Sequence, residues 1–522
     1  MRKWLYLLLV FHLLANLIWI LLDQSPLAWD QAGHTLISLN FVDLFKGQSQ
    51  VNFFQISDYY PPFVHIIVAL IMIFTGPILL IGPLVMTGFF LLAISFLYLY
   101  VKEIFKDEKV AIFTACFFSF LPAVYGQSRN FLLEMPLVAL ILGSLYFLEK
   151  SEKFSNLKNS LFAMILLSFA VLTKWVAIVY LLIPFITSFK LSRLKNLGLS
   201  LGAIVLISLP WYFVNFTNIL NRAKVSFTAE TVDPQVLFSL QNYIYYLQVL
   251  TNFHLTWLGM ILFLLAIPVL IYFKKERGIS ITAVIVFIYL IFTLIPNKDP
   301  RYILPILPFA SIAIAYFLVK IIDKKKYLGI SITILVSFYY LMYFFCLSFG
   351  VPLNPKEIDY QRAIKLPVIG WVDYINLGKK TSGYLAPKFE TIIWPQKQII
   401  TDLGSKNPNI STKVLILVDK SEFNAKNLEL YQKEQKDAFI KFWAPYDLNP
   451  FSEISKMEAY LAYFDYVLIP DKSFGPEGAL RHLAVLKQLK EYLVYFSSEK
   501  VGLIKQYNLP DGDSLFVYEI KF

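Results

Sequence analysis

The feature that most constrains this chain is a series of eleven apolar runs within its first 350 or so residues. They lie at 4–22, 78–101, 110–126, 131–148, 159–173, 175–189, 197–216, 254–273, 279–296, 301–320 and 327–349. A bilayer core about 30 Å thick needs a helix of roughly 20 apolar residues, because every backbone N–H and C=O in hydrocarbon must be paired inside its own segment. With 57% hydrophobic and only 16% charged residues in 522, the chain is too apolar to be a string of soluble domains. The expected fold is a polytopic α-helical membrane protein of about eleven transmembrane helices.

The first run follows Arg2 and Lys3 but has no small-residue cleavage site, so it reads as an uncleaved first helix. A further apolar stretch, 61–76, falls short of a full span. Loop charge decides how to treat it. If 61–76 does not cross, about eighteen basic residues fall in loops on the N-terminal side and about seven in the opposite loops. Counting it as a span reverses that balance, against the cytoplasmic enrichment of Lys and Arg. The segment is therefore expected to be a re-entrant or interfacial helix. The N-terminus is expected in the cytoplasm of a multi-pass cell-membrane protein. The formal net charge of +11 then records orientation and gives no sign of a nucleic-acid partner.

From about Val351 the composition becomes that of a soluble domain, which divides the chain into a membrane module, 1–350, and an extracytoplasmic α/β domain, 351–522. Short β-branched runs at 413–418, 466–469 and 515–520 predict strands, and 427–442 and 478–496 predict helices, in a mainly parallel sheet. No glycine-rich phosphate loop occurs, and Cys116 and Cys346 both lie in apolar runs. Neither a nucleotide site nor a disulfide framework follows.

Chemistry is expected among the few polar residues of the outer loops, since charge near hydrocarbon is costly. In WDQAGHTLISLNF, Asp30 and His34 are four apart and share a helical face, either as a reactive pair or as a helix cap and a packed imidazole. Glu134 opens a span five residues after Arg129; the two could pair at the interface or act separately. Lys298, Arg301 and Tyr302 stand at the mouth of another span, where interfacial anchoring is the alternative. Lys174 lies between two short apolar runs. Two carboxylates and several cations on one side suit transfer of a sugar from a lipid phosphate. The phosphate leaves without a general acid, cations neutralise it, and one carboxylate deprotonates the acceptor hydroxyl. Asp30 is the candidate base, and Arg129, Lys298 and Arg301 are the candidate phosphate clamp. A transporter or flippase of lipid-linked sugars is the alternative, although the broken, paired helices of transporter repeats are not evident.

At these residues the sequence resembles the GT-C glycosyltransferases, in particular the protein O-mannosyltransferases and lipid A aminoarabinose transferases. Asp30-Gln31 stands where the family has an Asp, usually Asp-Glu, in the first outer loop. Asp58-Tyr59-Tyr60-Pro61-Pro62-Phe63 resembles its acidic, Pro-Pro-containing element. Ser128-Arg129 with Glu134 resembles its Ser/Ala-Arg-x4-Asp element, and Lys298-Asp299-Pro300-Arg301-Tyr302-x2-Pro305 its Lys-x2-Arg-Tyr-x2-Pro segment. The resemblance implies a polyprenyl-phosphate-linked sugar as donor, an extracytoplasmic acceptor and a first-loop Asp as base; His34, Asp58, Tyr60 and Lys174 are expected to support the site. Gln31 and Tyr60 depart from the usual second acid and His. Metal use is left open, since Asp30, His34, Asp58 and Glu134 together would make an oxygen-rich site suited to a divalent cation.

Overall fold

The structure is a computed structural model that describes residues 2–57, 59–227, 236–353, 360–377, 389–406, 411–435, 439–446, 448–476, 482–496 and 498–521. Two compact units divide the chain. The first is Met1–Leu21, Asn40–Phe74 and Leu80–Phe389, and the second is Leu22–Leu39, Thr75–Leu79 and Glu390–Phe522.

Helices dominate the first unit, and all eleven apolar runs are helical. Among the described residues, seven helices are long and apolar enough to cross a membrane: Arg2–Leu22, Ile81–Phe105, Leu191–Lys224, Thr256–Phe273, Lys275–Thr293, Pro300–Lys324 and Lys326–Phe349. The others are shorter. The run at 110–126 divides into Glu108–Ser119 and Pro122–Gln127, because Leu121 precedes a proline and takes extended backbone. Phe63–Thr75 covers the 61–76 stretch in 13 residues, which rise about 20 Å against a core of about 30 Å. The helix Pro300–Lys324 is the most enclosed of the long ones, while Leu191–Lys224 leaves most of its apolar surface bare, as a lipid-facing helix does. An antiparallel hairpin, β1 (Tyr360–Leu366) and β2 (Gly370–Leu377), belongs to this unit. It leans on the helical turn at 248–254, where Gln248 donates to the Ile369 carbonyl at 2.7 Å and Asn252 accepts from the Asp373 N–H at 3.1 Å.

The second unit is a three-layer α/β sandwich. Its strands are β3 (Thr412–Ile416), β4 (Ile440–Trp443), β5 (Tyr466–Pro470), β6 (Val501–Asn508) and β7 (Ser514–Ile520), in the order β4-β3-β5-β7-β6. Side chains alternate along β3. Val414 and Ile416 enter a core with Ile399, Leu403 and Leu428, while Leu415 and Leu417 enter the opposite core with Met457, Leu461 and Leu489. The sheet is mixed, not mainly parallel as the sequence pattern predicts. β3 is parallel to β4 and β5, but β7 is antiparallel to both β5 and β6, because the last two strands form a hairpin with no crossover helix. The helix expected over 427–442 runs only from Ala425 to Gln435, and Ile440–Trp443 is the edge strand β4.

Candidate active site

Glu134 is the first residue of the helix Glu134–Lys150, where its charge faces the positive end of the helix dipole. The turn before it is tightly packed. Gly82 lies so close to Phe131 that a Cβ there would sit 2.4 Å from the ring, so a larger residue at 82 would displace the loop that sets Glu134. Glu134 does not pair with Arg129, the partner that spacing offered. Its Oε1 meets Lys174 Nζ at 2.5 Å, both side chains being largely buried. Its Oε2 is buried and accepts no hydrogen bond within the described residues. Lys174 Nζ also lies 5.5 Å from the Tyr302 ring, and Arg301 acts electrostatically on Glu134.

Asp299 sets Arg301. Its carboxylate accepts the Arg301 backbone N–H at 2.8 Å, which caps the turn Pro300–Ile306. The same group takes the guanidinium through Nε at 2.9 Å and Nη2 at 2.6 Å. Tyr302 accepts the Tyr180 hydroxyl on its carbonyl at 2.8 Å, and its ring lies tilted against Phe292 at 5.6 Å. The structure thus brings together Glu134, Lys174, Arg301 and Tyr302.

Two of the expected phosphate-clamp residues are committed elsewhere in this conformation. Lys298, 2% exposed, donates to the carbonyls of Phe292, Thr293 and Ile295 at 2.9, 2.8 and 2.6 Å. This is how a cation caps the C-terminal end of a helix, here Lys275–Thr293. Arg129, 1% exposed, donates from Nε to Asn16 Oδ1 at 3.0 Å and from Nη2 to Ser348 at 2.8 Å. Its guanidinium lies over Trp19, Tyr125 and Phe344, an aromatic surround that suits a weakly hydrated cation. His12 and Asn16 escape a reading built on loops because they lie inside the first span. The available signal is two polar residues four apart in an apolar run. Arg222 is a further cation at the site. It is exposed, lies 4.9 Å over the Tyr59 ring and acts electrostatically on Tyr302.

The Tyr60 ring lies tilted against that of Tyr59 at 4.1 Å, and its carbonyl accepts the Ser57 hydroxyl. Asp58 lies outside the described residues. Asp30 and His34 belong to the second unit, on the helix Trp29–Phe45 expected from their spacing, with Asp30 half-buried in the first turn and His34 buried. Among the described residues searched, no three His, Cys, Asp or Glu converge as metal ligands.

Fold and residues define a class. Residues 84–228 match the dolichyl-phosphate-mannose-protein mannosyltransferase family and residues 240–355 the Alg9-like mannosyltransferase family. ArnT from Cupriavidus metallidurans in the apo state superposes with a TM-score of 0.60 at 13% identity, over 98% of this chain and 97% of that one. The same protein bound to undecaprenyl phosphate gives 0.59 at 13% identity, with the same coverage. The archaeal oligosaccharyltransferase AglB from Archaeoglobus fulgidus, in complex with an inhibitory peptide and a dolichol-phosphate, gives 0.53 at 14% identity over 99% of this chain and 74% of that one. No curated protein matches the sequence significantly. At such identities the superpositions establish the fold, and the two family matches add the chemistry. The chain is a membrane glycosyltransferase of the GT-C superfamily.

Proposed function

We propose that this enzyme moves a single sugar from a polyprenyl-phosphate donor to a hydroxyl of an extracytoplasmic acceptor by one inverting displacement. The acceptor oxygen bonds to C1 as the C1–O bond to phosphate breaks. The hydroxyl proton passes to Asp30, and the lipid phosphate leaves with the bonding pair. A phosphate leaving group needs charge neutralisation and no proton. Arg301 and Lys174 are assigned to meet it, with Tyr302 beside them and Arg222 at the exposed rim. Glu134 orients Lys174, and its second oxygen is left to accept a hydroxyl from sugar or acceptor. His34, Asp58 and Tyr60 support the first-loop side of the site. Lys298 is assigned to cap the end of Lys275–Thr293, just before the turn that carries Arg301, and Arg129 to tie the loop before Glu134 to the helices Arg2–Leu22 and Lys326–Phe349.

The observation that carries this reading is the buried Glu134–Lys174 pair with Arg301 in electrostatic reach, since charge so enclosed in an apolar helical unit is costly without a task. The bound lipid phosphates of ArnT and AglB support the donor class. A cytoplasmic N-terminus and an extracytoplasmic C-terminal domain complete the proposal, on the strength of loop charge. The direct test is Asp30→Asn. Surface-glycan mass spectrometry should show loss of product while insertion and melting stay as in the native chain. An active Asp30→Asn enzyme refutes the mechanism.

A further inference from the structure

In the second unit β3 lies between its two parallel neighbours. The helix Ala425–Gln435, leading from β3 to β4, packs Leu428 into one core, and the helix Ile454–Leu461, leading from β4 to β5, packs Met457 and Leu461 into the other. The crossovers thus leave on opposite faces. In open α/β sheets the crevice beyond the carboxyl ends of the strands at such a reversal is where ligands bind. Asp419 lies three residues beyond β3 and Tyr446 three beyond β4. Tyr446 is among the groups that favour the charged form of the Asp419 carboxyl. His482 Nε2 lies 3.7 Å from Asp419 Oδ2, and its ring meets Tyr446 edge-on at 5.1 Å. The group that enters this crevice is the indole of Trp29, whose Nε1 donates to Asp419 Oδ1 at 2.7 Å.

Trp29 is the residue before Asp30 and opens the same helix. Two further ties flank it. Asp23 Oδ1 accepts the Glu390 N–H at 2.8 Å, and Gln24 N–H donates to the Glu390 carbonyl at 2.7 Å. Gly33, one turn after Trp29, faces Lys426, whose Nζ would lie 3.5 Å from a Cβ added there. Trp29 and Gly33 share the helical face turned to the α/β layer, and Asp30 and His34 share the next one round. Burial pushes the Asp419 carboxyl above the usual carboxylate range, and the Trp29 N–H leads the groups that oppose this.

We propose that Asp419 is a positioning residue for the catalytic loop, fixing the backbone and orientation of Asp30 through the Trp29 indole. This rests on the reading of Asp30 as base. Removing the tie leaves the base present but displaced, and a displacement of about 1 Å costs on the order of a hundredfold in rate.

The test uses the full-length chain in detergent, by hydrogen exchange, and in cells, by mass spectrometry of the surface product. Trp29→Phe keeps the ring and loses the donor, and Asp419→Ala loses the acceptor. Each should raise amide exchange across 22–39 by roughly tenfold or more, the loss of one charge-assisted hydrogen bond, with β3 and β5 unchanged, and should cut product by roughly tenfold or more. The double variant should be no worse than either single one. Asp419→Asn, which keeps an acceptor, should restore most of both signals. Unchanged exchange across 22–39 in Trp29→Phe overturns the proposal, as do additive losses in the double variant. A product-forming Asp30→Asn enzyme overturns the base assignment while leaving the exchange result standing.

Discussion

Lys298 separates a structural role from a catalytic one, because its motif and its contacts point in different directions. An ammonium has three protons, and here all three go to carbonyls around the end of Lys275–Thr293. In Lys298→Met the three acceptors fare differently. Thr293 keeps the Asn242 side-chain amide at 3.0 Å, and Phe292 keeps backbone contacts from the Leu294 N–H and, at 3.4 Å, the Ile295 N–H. The Ile295 carbonyl loses its donor. One stripped and two weakened acceptors, at about 1–3 kcal/mol for a bare buried group, are partly offset because a buried ammonium no longer has to be desolvated. The net loss is roughly 2–4 kcal/mol, or about 4–8 °C of melting temperature at ~2 °C per kcal/mol. Melting in detergent and titration with a polyprenyl phosphate measure the two roles separately. The expected result is a lower melting temperature with lipid-phosphate affinity changed less than about threefold, well under the tenfold that 1.4 kcal/mol represents. An unchanged melting temperature with a loss of affinity of tenfold or more would refute the capping argument and return Lys298 to the phosphate.

Glu134→Gln breaks a pair whose side chains are 4% and 19% exposed, leaving an uncompensated cation beside Arg301. It should cost about 3 kcal/mol and nearly all product, whereas Lys174→Met should chiefly weaken polyprenyl-phosphate binding; full activity in Glu134→Gln would remove it from the site. In the α/β domain, burial alone would raise the Asp513 carboxyl, but the Lys420 ammonium at 2.7 Å and the backbone amides of Lys472, Ser473 and Ser514 outweigh it and hold the group below its ordinary range. A depressed carboxylate contributes stability that is present above the unfolded value near 3.9 and is lost as the pH falls through the folded one. Lys420→Met should therefore melt well below the native chain at pH 7, by about 3 kcal/mol, with a gap that narrows below about pH 4. A gap that widens on acidification would contradict the sign.

Legibility followed range. The long helices of the first unit were readable because each rests on an apolar run, and β3, β5 and β7 because their β-branched runs are buried, on both faces in β3 and β5 and mainly on one in β7. Ile440–Trp443 was not, since IKFW is four residues long with a lysine inside it, and only its parallel pairing with β3 makes it a strand. At the candidate site, short-range motifs do not show which partners the charges find. Spacing offers Glu134 a partner in Arg129, five residues away, but Glu134 is bonded to Lys174, forty residues away. Arg129 finds Asn16 and Ser348 at separations of 113 and 219. A motif records which groups recur at short spacing, but what a buried charge does is fixed by the acceptors that reach it, and those come from other helices. The sharpest case is Trp29, which reads as one more interfacial aromatic beside Asp30. Its partner Asp419 lies 390 residues on, in a segment that shows only the end of a short apolar strand. Composition draws a boundary near Val351, whereas the compact unit that begins at Glu390 also takes in Leu22–Leu39. The candidate chemistry of the first loop is proposed from its own residues, but its tie to Asp419 is not legible there, because the ends of β3 and β4 come together only once β3, β4 and β5 have paired.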